Sequence, residues 1–115
     1  MSQDIYIGEV NDRDEKHGFG QKFDKKTGKK QFEGHFLSGE ASGFGKKYFR
    51  NCLHHPVIEY MGNYADGNGD GYGLLFYNNG KVLFRGVYDD SIPHKKKFFV
   101  YYKENGGIDF EKSNF

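Results

Sequence analysis

The sequence predicts an all-β protein: a single-layer antiparallel sheet, built as a solenoid of stacked β-hairpins and closed by a C-terminal cap strand. Three observations predict it. The tetrad aromatic-x-Gly-x recurs at Tyr6-Ile7-Gly8, Phe32-Glu33-Gly34, Tyr60-Met61-Gly62 and Phe84-Arg85-Gly86, with starts 26, 28 and 24 residues apart. Self-similarity at such a period marks a stack of small units rather than one continuous core. Residues of the tetrad's strand alternate between faces, so Tyr60, Gly62 and Tyr64 share one side. Finally, 17 glycines are spread through every segment and no long stretch carries a 3.6-residue apolar period, which argues against helices.

The whole chain, 1–115, reads as one domain of four repeats, at about 6–31, 32–59, 60–83 and 84–107, with a cap at 108–115. The first carries Tyr6, Gly8 and Val10, then His17-Gly18-Phe19-Gly20 and Gly28. The second carries Phe32, Gly34, Phe36 and Gly39, then Ser42-Gly43-Phe44-Gly45. The third is cleanest, with Tyr60, Gly62, Tyr64 and Gly67, then Asp70-Gly71-Tyr72-Gly73 and Asn79-Gly80. The fourth opens with Phe84, Gly86 and Tyr88 and then decays, because His94-Lys95-Lys96-Lys97 replaces the Gly-aromatic-Gly cluster. Phe98-Phe99-Val100-Tyr101-Tyr102 and Ile108-Asp109-Phe110 are expected to close that end.

In the second strand of each unit, Phe19 and Phe23, Phe44 and Tyr48, and Tyr72 and Phe76 are four apart and so lie on one face. Lys26-Thr27-Gly28 and Asn78-Asn79-Gly80 are turn signals, since Gly and Asn tolerate positive φ. An isolated hairpin is marginal in water, so neighbouring units must bury each other's rings. The missing side chain at Gly62 is expected to leave a slot for a ring of the adjoining unit, such as Phe36 or Tyr88.

This pattern resembles the MORN repeat (membrane occupation and recognition nexus), which runs Tyr-x-Gly-x-Trp, a turn Gly, His-Gly-x-Gly, and a later Asp-Gly or Asn-Gly. His17-Gly18-Phe19-Gly20 matches the signature in full, while Ser42 and Asp70 replace the His in the next two copies. Val10, Phe36, Tyr64 and Tyr88 stand at the Trp position, and the resemblance covers roughly residues 5–97. It implies a non-catalytic protein-interaction module or scaffold subunit of a larger cytoskeletal, ciliary or membrane-adjacent assembly. A partner helix or extended segment would lie on the aromatic sheet face, with Phe36, Phe44, Tyr64 and Tyr72 as its anchors. Burial of those rings against neighbouring units is the competing account.

The alternative that the resemblance suggests is peripheral binding to anionic phospholipid through Lys25, Lys26, Lys29 and Lys30. The plainer reading is a solvated turn whose lysines protect it from edge pairing. An enzyme is not expected, since no acid/base pair or nucleophile constellation stands out. No metal site or cofactor is expected either. Asp66, Asn68 and Asp70 mimic a calcium loop, but the position of the bidentate Glu holds Tyr77. Cys52-Leu53-His54-His55 reads as a solvent-facing insertion that contacts a partner, and lacks further ligands at metal spacing. His17 is expected to satisfy backbone groups rather than titrate for function.

A net charge of +1 argues against nucleic-acid binding. No apolar run approaches membrane-spanning length, and Met1-Ser2-Gln3-Asp4 lacks an apolar signal core. A single cysteine suits a reducing compartment, so the expected location is intracellular. Open terminal strands offer a route to homodimers.

Overall fold

The protein is described from a computed structural model covering residues 4–50, 56–94 and 97–114. The segment Cys52-Leu53-His54-His55 and the pair Lys95-Lys96 therefore lie outside the described residues. No described residue is helical. Ten strands follow one another: β1 (Asp4–Val10), β2 (Lys16–Asp24), β3 (Lys30–Leu37), β4 (Glu40–Tyr48), β5 (Ile58–Ala65), β6 (Asn68–Phe76), β7 (Val82–Asp89), β8 (Ile92–Pro93), β9 (Phe99–Tyr102) and β10 (Ile108–Asn114). They form one open antiparallel sheet in chain order from β1 to β7, then β9 and β10, with β8 also pairing β7.

Each unit repeats the same register. The tetrad glycine faces the second glycine of its cluster, as Gly8↔Gly20, Gly34↔Gly45 and Gly62↔Gly73. Two residues later the register slips, so that Tyr64 meets Gly69 and β6 holds two extra residues. The first cluster glycine lies in that bulge with positive φ, 92° at Gly71. A side chain there would be forced toward the left-handed region, which only glycine enters freely. A second bulge joins the units, where Leu75↔Phe84 gives way to Phe76↔Val82 and Leu83 is the extra residue. Gln31 and Glu59 hold the same place in earlier units. Bulges bend a strand and increase its twist, and repeating both in every unit curves the sheet steadily.

The fourth unit is more complete in space than in sequence. β8 and β9 pair with β7 in succession, Tyr88↔Pro93 and then Gly86↔Phe99. Phe99 thus occupies the place of the second cluster glycine. β10 pairs only with β9 among the described strands and caps the sheet.

The rings of one face form a continuous edge-to-face ladder across the units. Tyr6 meets Phe36 at 5.4 Å between centroids, Phe36 meets Phe32 at 5.3 Å, and Phe32 meets Tyr64 at 5.1 Å. Tyr64 meets Tyr60 at 5.3 Å, Tyr60 meets Tyr88 at 5.2 Å, and Tyr88 meets Phe84 at 5.3 Å. Phe84 then meets Tyr101 at 4.9 Å. Edge-to-face pairs of this kind favour the quadrupole of each ring beyond simple burial.

The slot over the paired glycines is filled differently from expectation. A Cβ on Gly73 would lie 2.5 Å from the Tyr60 hydroxyl, and one on Gly62 would lie 2.8 Å from it. The occupant is therefore the unit's own leading ring, not Phe36 or Tyr88. A tetrad ring leans across its own hairpin and touches the neighbour's ring only at its edge.

Candidate functional site

The two faces of the sheet differ in chemistry. The ladder face carries a groove of about 630 Å³, floored by Phe32, Phe36, Tyr60, Tyr64 and Tyr88. Charged side chains line its margins. Lys22 pairs with Asp4 at 3.8 Å, and Lys47 pairs with Glu59 at 3.8 Å. Arg50, which also lines the groove, reaches Asp24 at 3.9 Å. Pairs this long and this exposed contribute little stability, so they are available to exchange partners.

Burial raises the pKa values of the floor phenols. Desolvation, with a smaller effect of Asp70, pushes Tyr60 up to about 12. Tyr64 and Tyr88 are raised further, again mainly by desolvation. All three are neutral hydrogen-bonding groups near neutral pH. The Tyr60 hydroxyl donates to the Asn63 carbonyl at 3.1 Å, whereas the Tyr88 hydroxyl is buried without a partner among the described residues.

The four expected anchors divide between the faces. Phe36 and Tyr64 are buried in the ladder, 6% and 8% exposed. Phe44 and Tyr72 point out of the opposite face, 51% and 52% exposed. The structure therefore brings Phe36 and Tyr64 together as groove floor, and it separates Phe44 and Tyr72 from them. Sequence reasoning passed over Phe19, 44% exposed at the same motif position as Phe44 and Tyr72. Reading the aromatic residue of every Gly-aromatic-Gly cluster would have found it.

The lysine cluster is also divided. Lys25 and Lys26 are exposed at the β2–β3 turn. Lys30 instead bonds Glu33 at 2.8 Å and lies 5.6 Å from the Tyr48 ring centroid. That bond, followed by the one from Gln21, holds the Glu33 carboxyl below its ordinary range.

The remaining candidate residues have structural partners. His17 Nδ1 accepts the Ser38 N–H at 3.3 Å, which ties the first cluster to the next unit's turn. Asp66-Gly67 forms a tight turn whose Gly67 N–H donates to the Ala41 carbonyl at 3.0 Å. Asn68 Nδ2 donates to Asp90 Oδ1 at 2.8 Å. The would-be calcium loop thus holds adjacent units together. No group of three or more His, Cys, Asp or Glu able to hold a metal occurs among the described residues.

No protein-family model matches this chain, and no curated protein matches it.

Proposed function

We propose that this chain is a non-catalytic interaction module: a MORN-like array whose groove receives an amphipathic helix or an extended segment of a protein partner. The observation that carries this reading is the ring-floored groove with charged margins. An apolar floor supplies desolvation, and margins of both signs fix the direction of the incoming segment. Phe36 and Tyr64 act as floor, so the partner inserts side chains between ring edges.

The test is copurification from native cells of a tagged chain, paired with Ala41→Arg. Ala41 lines the groove opposite Phe36 and packs against the edge of the ring cluster, so a long charged side chain there fills the space a partner would use. A small stoichiometric set of proteins that copurifies with the parent, and is lost from a folded Ala41→Arg variant, is the expected result. If nothing copurifies and the chain instead sediments with anionic vesicles, the phospholipid alternative takes over. That sedimentation would have to disappear on charge reversal at Lys25, Lys26, Lys29 and Lys30.

A further inference from the structure

The face opposite the groove carries a regular row of side chains that the ladder does not use. Phe19 stands opposite His35, Phe44 opposite Asn63, and Tyr72 opposite Val87. Across the register slips, a Cβ on Gly43 would lie 3.6 Å from the His35 Cβ and one on Gly71 would lie 3.5 Å from the Asn63 Cβ, so His35 stands beside the Gly43-Phe44 corner and Asn63 beside the Gly71-Tyr72 corner. One line therefore crosses β2 to β7 in the order Phe19, His35, Phe44, Asn63, Tyr72, Val87. Phe98, just before β9, is 45% exposed and has the Arg85 guanidinium 5.5 Å from its ring centroid. The pairing Gly86↔Phe99 places it next in line.

We propose that this row binds a proline-rich segment in the polyproline II conformation, with acidic residues beside its prolines. The first argument is metric. The rings occupy alternate strands, and strands lie about 4.8 Å apart, so the rings repeat at about 9.6 Å. Polyproline II advances about 9.3 Å per three-residue turn. A segment crossing the strands would set one proline on each ring.

The second argument is hydrogen bonding. Polyproline II has no internal hydrogen bonds and presents solvated carbonyls. His35, whose ring meets Phe19 edge-on at 5.8 Å, and Asn63 are exposed on the strands between the ring-bearing ones, so each has an N–H to offer such carbonyls. Aromatic surfaces interleaved with donors are the recurring chemistry of proline-rich recognition.

The third argument is charge. The adjacent row of the same face runs Gln21, Glu33, Lys46, Met61, Leu74, Arg85. Glu33 is neutralised by Lys30 at 2.8 Å, so this flank is positive through Lys46 and Arg85. Acidic side chains on the ligand complement it.

This surface lies on the other side of the sheet from the groove, so the inference does not rest on the partner proposed above. The probe is a fluorescent peptide with proline at every third position over about four polyproline turns, carrying two glutamates. Its binding to the full chain is followed by anisotropy. We expect saturable binding that weakens with salt and is absent when glycine replaces every proline. Tyr72→Ala and Phe44→Ala each weaken it about tenfold, the effect of an ordinary aromatic anchor. Lys46→Glu weakens it and flattens the salt dependence, while Ala41→Arg leaves it unchanged. Equal binding of the glycine peptide, or indifference to both ring variants, would overturn the proposal. So would loss of binding in Ala41→Arg, which would put the peptide in the groove, or preference for a single-stranded oligothymidylate over the peptide.

Discussion

Gly73 and Tyr60 show why a residue with no side chain is as specific here as a ring. The tyrosine lies where a Cβ on Gly73 would stand, 2.5 Å from its hydroxyl. Gly73→Ala must displace a ring locked into the ladder on two sides, so it is expected to cost about 1–3 kcal/mol in chemical denaturation, the usual penalty for overpacking. The floor phenols give a second residue-scale prediction. The pKa of Tyr60 is raised from 10.0 to about 12, so the unfolded chain releases this proton first. Stability from this group is complete below pH 10 and declines as pH rises toward 12. Tyr64 and Tyr88, raised in the same direction, steepen the loss. Alkaline titration followed by phenolate absorbance and circular dichroism should show these phenols ionising together with unfolding. If they ionise while the sheet remains intact, the ladder is looser than described. The aromatic-x-Gly alternation made the ring face legible in the sequence. Which ring fills the slot was not legible, because the slip at Tyr64↔Gly69 reorients the hairpin and no residue type announces it.

Among the elements, the tight turns act as fasteners. Gly39, Gly67 and Ser91 each donate an N–H to a carbonyl of the preceding unit, at Lys16, Ala41 and Gly69, over 2.8, 3.0 and 2.7 Å. All three have positive φ, and Ser91 does so at 71° with a side chain. Ser91→Gly should relieve that strain, keep the donor, and raise the melting temperature by an amount equivalent to about 1 kcal/mol. A lower melting temperature would mean that the Ser91 hydroxyl has a compensating role. At the other end, Phe84 is fully buried and touches Tyr88, Phe99 and Tyr101. Phe84→Ala is expected to cost about 3–5 kcal/mol, with β9 and β10 losing amide protection before β3 to β6. The turn at Asn78-Asn79-Gly80 could be read directly from its residue types. The fourth unit's second strand could not, because Phe99 stands where a glycine served as the marker and the strand is split into β8 and β9. Only pairing to a common partner, β7, reveals that the two pieces are one.

Taken whole, the molecule is a single open sheet measuring 48 × 33 × 21 Å. Among the described strands each unit packs chiefly on its sequence neighbours, so stability is a sum of unit and interface contributions. Hydrogen exchange should therefore be graded, slowest in β4 to β6 and fastest at β1 and β10, rather than uniform. Uniform protection would indicate that the ladder couples the entire array into one cooperative block. Repeated hairpins joined in chain order into one antiparallel sheet were legible in the sequence. The division of outward aromatics between two faces depended on strand parity across bulges, so Phe36 and Tyr64 were grouped with Phe44 and Tyr72 although the sheet lies between them.

The strand order runs from β1 at one margin to β10 at the other, which sets how the protein answers a tensile load. Tension applied between its two ends meets the ladder hydrogen bonds one pair at a time, like a zip, instead of loading a whole strand pair in shear. Each hairpin that opens releases roughly 25 residues, about 85 Å of extended contour. Between two anchored partners, the array would extend in discrete steps at low force and re-form when the load is removed.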